Sequence, residues 1–232
     1  MNCDYNKIIE EKAKLFGNCI SGNMAKLETF HNIQFYLFCQ QTFLVNEALN
    51  CLLLGLNHAS IYTTNHLLEK ILKVALINKH TAGLYIGDTG FNEKEEEAQK
   101  LYDGEKLYKN INRAFKLEIL TESEKDNLHQ LRENFRNPYS HAQTAPFLKN
   151  LPPTSGVFMC DISEGIVAMQ TKDTVPLKER TIPTSIFGQY LQRENADQNA
   201  FDYFQTVFTI MCSIENKMNK HEFEQMNYNV DE

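Results

Sequence analysis

At 232 residues, with 42% hydrophobic and 23% charged side chains, the chain can bury a core of its own and needs no disulfide framework to fold. Its formal net charge of −7 argues against a broad basic surface that coats nucleic acid non-specifically, though a small basic pocket stays open because local charge governs local binding. The six cysteines, at 3, 19, 39, 51, 160 and 212, include no C-x-x-C pair, so no metal site is expected, nor any other cofactor, and a reducing cytoplasm is the expected compartment.

The N-terminal "MNCDYNKIIEEKAK" lacks the apolar run of a signal peptide. The most apolar window, 33–56, is interrupted by Gln40, Gln41, Asn46, Glu47 and Asn50, so no membrane span is expected. Within it Ile33, Leu37, Leu44, Ala48, Cys51 and Leu52 follow helical spacing, and Phe35, Phe38, Val45, Leu49 and Leu53 add apolar residues on other faces. A helix apolar on several sides belongs in the middle of a bundle or at a dimer interface. Ile61, Leu68, Ile71, Leu72, Ala75 and Leu76 predict a second helix, and Ala98, Leu101, Tyr102, Tyr108, Ile111 and Phe115 a third, whose acidic opening suits a helix N-terminus. Thr121-Glu-Ser-Glu124 fits a capping box ahead of a stripe of Leu128, Leu131 and Phe135. After Pro152 and Pro153, "VFMCDI" and "GIVAMQT" predict a small β-hairpin insertion at about 155–172. A last amphipathic helix carries Ala200, Phe204, Val207, Phe208, Met211 and Met218. The expected fold is mainly all-α, a single domain with that one hairpin.

The chemistry concentrates in "LRENFRNPYSHA", residues 131–142. Pro138 cannot donate an amide and its ring clashes with the preceding turn, so the helix begun at Thr121 is expected to kink or stop there. The simplest local arrangement makes Asn137 an N-cap and Pro138 the first residue of a new short helix. In an unbroken helix five residues turn through about 500°, leaving Arg136 and His141 roughly 140° apart. A break is therefore needed if the two are to converge. With five arginines and seven histidines in the chain, an R-x4-H spacing arises by chance roughly 0.15 times, so the spacing alone is a short signal.

"RNPYSH" in this helical setting resembles the HEPN superfamily, whose ribonuclease members carry an R-x4-6-H motif with a polar residue after the arginine; Arg136, Asn137 and His141 match those positions. "ASIYTTNHLLEKILKVAL", residues 59–76, is similar to the helix upstream of that motif. The resemblance covers about 28–149 plus 196–220 and leaves the hairpin outside it. It implies a HEPN-like helical bundle and a metal-independent endoribonuclease that acts as a homodimer, with two motif copies facing one cleft. In it His141 takes the proton of an RNA 2′-hydroxyl, Arg136 holds the phosphate, and Asn137 orients the phosphate or caps the helix. A toxin or defence role with an antitoxin or regulatory protein is also implied. One departure narrows this: in HEPN toxins paired with a nucleotidyltransferase, a tyrosine that can be modified commonly follows the histidine by two residues, and here that position is Gln143.

Other residues near the motif carry two readings each. Arg132, four residues before Arg136, can share its face and bind RNA, or it can pair with Glu133. Tyr139 can stack a base or pack into the bundle. Glu69 and Lys73 are spaced as an i,i+4 ion pair, and His129 is expected at the surface. The alternative to an enzyme is a catalytically inactive HEPN-like module that binds RNA, a nucleotide or a partner protein, which the acidic charge and few arginines favour.

Overall fold

The computed structural model describes residues 5–31, 33–82, 84, 87–141, 143 and 188–228, with side chains as far as 219; the expected hairpin at 155–172 lies outside them. It is mainly helical, and no strand occurs among the described residues. In chain order come α1 (Tyr5–Leu27), α2 (Thr42–Leu53), α3 (Asn57–Thr81), α4 (Phe91–Tyr102), α5 (Leu107–Lys116), α6 (Glu122–Leu131), a π-helical turn (Arg132–Arg136), α7 (Asn137–Ser140) and α8 (Gly188–Tyr228). No helix among the described residues is long and apolar enough to cross a membrane.

Helix α3 is the axis of the bundle. Ile61, Leu67, Leu68, Ile71, Leu72, Ala75 and Leu76 are all buried, and this spread over several faces is possible because α2, α4, α5 and α8 all pack against it. Each fully buried aliphatic side chain contributes about 1.5–3 kcal/mol through removal from water. Helix α8 supplies Ala200, Tyr203, Phe204, Val207, Phe208, Met211 and Ile214 to the same core. Phe30 meets Phe204 and Phe208 edge to face, at centroid distances of 5.4 and 5.1 Å.

The expected helix over 33–56 begins only at Thr42. Residues ahead of it are held by a single carboxylate: the amides of Tyr36, Leu37 and Phe38 donate to Glu215 of α8 at 2.6, 3.0 and 3.2 Å. Three successive N–H groups turned to one side chain cannot also feed a helical ladder, which is why this segment is irregular. Helix α2 buries Leu44, Val45, Ala48, Leu49 and Leu52 within the chain. It ends in a Schellman turn: Leu56 N–H donates to Cys51 O at 2.7 Å and Gly55 N–H to Leu52 O at 3.1 Å, with Gly55 at φ 71°.

The third expected helix is two. Between α4 and α5 the chain turns at Asp103–Lys106, and Lys106 is extended at φ −67°, ψ 140°. Lys73 of α3 grips this turn, donating to Asp103 O at 2.7 Å and Asp103 Oδ1 at 3.0 Å. Helix α6 opens as its sequence predicts, with the Thr121 hydroxyl accepting from the Glu124 amide at 3.2 Å and Glu124 accepting from the Thr121 amide at 2.7 Å. Helix α1 has no counterpart in the sequence reading. Among its residues only Leu27 is fully buried, and Asn23 ties it to the bundle by donating to Leu52 O at 3.0 Å.

Candidate active site

Pro138 shapes the backbone around the motif, but not by stopping the helix ahead of it. Asn137 has helical angles, φ −67° and ψ −49°, and its amide donates to Arg132 O, five residues back. The wider π turn takes up the strain that a proline ring would otherwise place on the carbonyl four residues earlier. Asn137 is therefore not an N-cap, which corrects the expected break. The chain leaves the helix only at His141, where φ is −109° and ψ 11°. Beyond it the Gln143 amide closes the turn on Pro138 O at 2.8 Å.

This backbone brings three motif side chains together. Arg136 Nη1 lies 3.0 Å from His141 Nε2 and 3.4 Å from Asn137 Oδ1. A guanidinium has donors only, so a hydrogen bond to His141 requires Nε2 to accept and the ring proton to sit on Nδ1. Arg136 Nε donates to Glu69 Oε1 of α3 at 2.8 Å. The Arg136 and Glu69 side chains keep 23% and 32% exposure, so the group is half-buried and open on one side. Two N–H groups of Arg136, those on Nη2, remain for an added ligand.

Glu69 is the residue that sequence reasoning missed. Its spacing suggests a pair with Lys73, yet Lys73 turns to Asp103 and Glu69 to Arg136. No local pattern could announce a partner 67 positions away. Below this pair Tyr203 of α8 stacks on Phe135, with rings 4.6 Å apart and 13° from parallel. Its hydroxyl donates to Asn65 Oδ1 at 2.6 Å. Burial raises the Tyr203 phenol well above the usual range, with Glu69 adding to the rise and Arg136 opposing it, so the group stays a neutral donor under the site.

No family model, curated protein or solved structure matches this chain.

The remaining candidates fall elsewhere. Tyr139 is 1% exposed, with its hydroxyl 2.9 Å from Gln192 O and 3.1 Å from Asn195 Oδ1 of α8. A ring so enclosed is not offered to a base, which corrects that reading of Tyr139. Burial, then the fields of Tyr62 and Asp197, hold its hydroxyl far above the usual phenol range. Arg132 does not join Arg136; it pairs with Glu133 at 2.8 Å and lies 5.7 Å over the Tyr108 ring. His129 Nε2 meets Asn112 Oδ1 at 3.0 Å on the α5–α6 surface. Its pKa is lowered by partial burial and then by Arg132 and Lys125, against Asp126 and Glu133. Among the described residues no group of three or more His, Cys, Asp or Glu side chains is placed to hold a metal ion.

Proposed function

We propose that this chain is a metal-independent endoribonuclease of HEPN type. The observation that carries the reading is the 3.0 Å approach of Arg136 Nη1 to His141 Nε2, in a group fixed from behind by Glu69 and open in front. The Nε2 lone pair that accepts from Arg136 in the free chain takes the proton of an RNA 2′-hydroxyl once Arg136 Nη1 turns to the phosphate. The 2′-oxygen then attacks the adjacent phosphorus and the 5′-oxygen departs with a proton, leaving a 2′,3′-cyclic phosphate and a 5′-hydroxyl. Arg136 holds the phosphate oxygens as charge grows on them, presenting a fork of always-charged donors. Asn137 Oδ1 and Glu69 orient that fork; a fork held at two points loses little freedom when the phosphate arrives.

One chain contributes one Arg136–His141 pair. The reading includes a homodimer in which a two-fold axis sets two such pairs across one cleft, the second histidine supplying the proton to the leaving oxygen. It extends to a cytoplasmic toxin or defence effector held in check by an antitoxin or other regulatory protein.

A second reading has one observation in its favour. Glu69 already offsets the charge of Arg136 at 2.8 Å, which suits a catalytically inactive module that binds RNA, a nucleotide or a partner protein through the same face. The two readings separate in one assay: wild type and His141→Ala incubated with labelled single-stranded and structured RNA in excess EDTA. Cleavage by wild type alone, leaving cyclic-phosphate ends, is the expected result. No cleavage by either protein, with RNA binding that survives the substitution, sinks the nuclease.

A further inference from the structure

Helix α3 carries more toward the motif than Glu69. Residues 58, 62, 66 and 69 are spaced at three and four positions and so share one face of the helix. Glu69 reaches Arg136. Two turns earlier Tyr62 stands beside the motif helix, its ring 6.1 Å from that of Tyr139 and 84° to it. His58 meets the same ring at 5.1 Å and 76°. Neither neighbour lies flat on Tyr62; both contacts are edge to face. The two rings brace it, and Tyr139, locked to α8 through its hydroxyl, gives the brace a fixed base. His58 also meets Tyr139 directly, at 5.1 Å, so three rings form one cluster, of which Tyr62 is the exposed member at 42%.

An exposed ring that two neighbours already hold in place can take a flat partner without first being ordered. Burial lowers the His58 pKa, the field of Asp197 opposing, so the brace is an imidazole with a preference for its neutral, apolar form. The separation from the chemistry is set by the helix: seven residues from Tyr62 to Glu69 advance about 10 Å, a distance a nucleotide next to the scissile phosphate can span.

We infer that Tyr62 is a stacking platform for an unpaired base of the RNA strand whose phosphate is held by Arg136. The inference rests on the nuclease reading only for where the phosphate lies; the stacking itself needs no cleavage. It makes the substrate class single-stranded, since a base held in a duplex presents no free face to the ring. It also makes the recognition tolerant of base identity, because every base has such a face.

The test uses the full chain carrying His141→Ala, so that bound RNA is not consumed. Affinity for a fluorescently labelled single-stranded RNA dodecamer is compared in this background with Tyr62→Ala and with Tyr62→Phe added. Loss of one base stack weakens binding by about 5- to 150-fold, and that loss is expected for Tyr62→Ala, with Tyr62→Phe restoring most of it. Removing bases one at a time from the RNA should cost affinity at one position, and that cost should vanish when Tyr62 is already alanine. Equal affinity for Tyr62→Ala and its parent overturns the proposal, as does an equal loss for Ala and Phe.

The same variants made with His141 intact separate this inference from the reading beneath it. Tyr62-dependent binding with no cleavage by wild type removes the nuclease and leaves the platform. Cleavage that continues in Tyr62→Ala with unchanged KM removes the platform and leaves the nuclease. Absence of RNA binding in every variant removes both.

Discussion

The helical stretch from Thr121 to His141 joins a carboxylate–cation pair near each end, one with Lys217 of α8 and one with Glu69 of α3, and the two pairs are built to opposite purposes. At the opening end Glu124 Oε2 accepts from the Thr121 amide at 2.7 Å, the Thr121 hydroxyl at 2.9 Å and Lys217 of α8 at 2.7 Å. Burial works to raise its pKa, but the hydrogen bonds from Lys217, Ser213 and Thr121 outweigh it and hold the carboxyl down to about 2. At the closing end Glu69 takes one bond from Arg136, whose fork then spreads to Asn137 and His141. The first pair is saturated and serves the fold. The second leaves the Nη2 donors of Arg136 uncommitted beside an exposed histidine, which a structural ion pair has no reason to do.

If that contrast is right, damage at the two ends should appear in different measurements. The largest effect is expected for His141→Ala: loss of a proton-transferring group should lower RNA cleavage by about 10²–10⁴-fold. The melting temperature should hardly move, because His141 is exposed. A drop in stability comparable to that of a core substitution would instead make His141 a structural residue. Glu69→Ala comes next. Releasing Arg136 from its rear anchor should cost up to about a hundredfold in cleavage, the scale of misplacing a catalytic group by an ångström. Glu69→Gln, which can still accept through its amide oxygen, should recover part of it. Full activity in Glu69→Ala would mean that the anchor does not position the arginine.

At the saturated end the readout is acid denaturation. Glu124 has its folded pKa, about 2, below the ordinary value of 4.5, so the unfolded chain binds the proton more readily. The stabilisation is present in full above about pH 4.5 and is lost as pH falls from there toward 2. Glu124→Gln should flatten urea-denaturation midpoints across that window and leave cleavage at neutral pH within about twofold. An unchanged acid limb would show that the Lys217 and Thr121 bonds do not act as a unit. The smallest effect is expected from Thr121→Ala: removing the cap should cost about 1 kcal/mol, or about 2–4 °C in Tm for a chain of this size. Cleavage loss at this end without any stability loss would undo the division between the two.

The same contrast explains what could be read from the sequence. Thr121 and Glu124 are three residues apart and announce their cap locally. The stripes of α3 and of α8 were legible because burial on one or more faces imposes a period on the residues. Arg136, Asn137 and His141 were legible as a spacing, though not the backbone that joins them: in place of the expected N-cap at Asn137 a π turn, Arg132–Arg136, runs on into α7, and the chain leaves the helix at His141. Glu69 was hidden because its partner lies 67 residues on, and Tyr139 was open to two uses until α8 closed over it. The division between α4 and α5 was missed since apolar spacing runs through the Asp103–Lys106 turn as if it were helical. Helix α1 carries a thin stripe, Phe16, Cys19 and Leu27, on the same face as Asn23, and the sequence reading passed over it.

The π turn has a further consequence, best seen as an editing of the sequence. A π-helical turn is an α-helix with one residue too many in it, and removing one residue from within it returns the segment to α geometry. Glu133 and Asn134 are both exposed in that turn, so neither is needed to fill the core. Deleting either lets four α-spaced residues span what five π-spaced ones did, so the helix on each side keeps nearly the same facing. Only the turn itself would tighten, and with it would go the room that the bond from the Asn137 amide to Arg132 O makes for the Pro138 ring. On this view the site is one inserted residue away from being an ordinary helix.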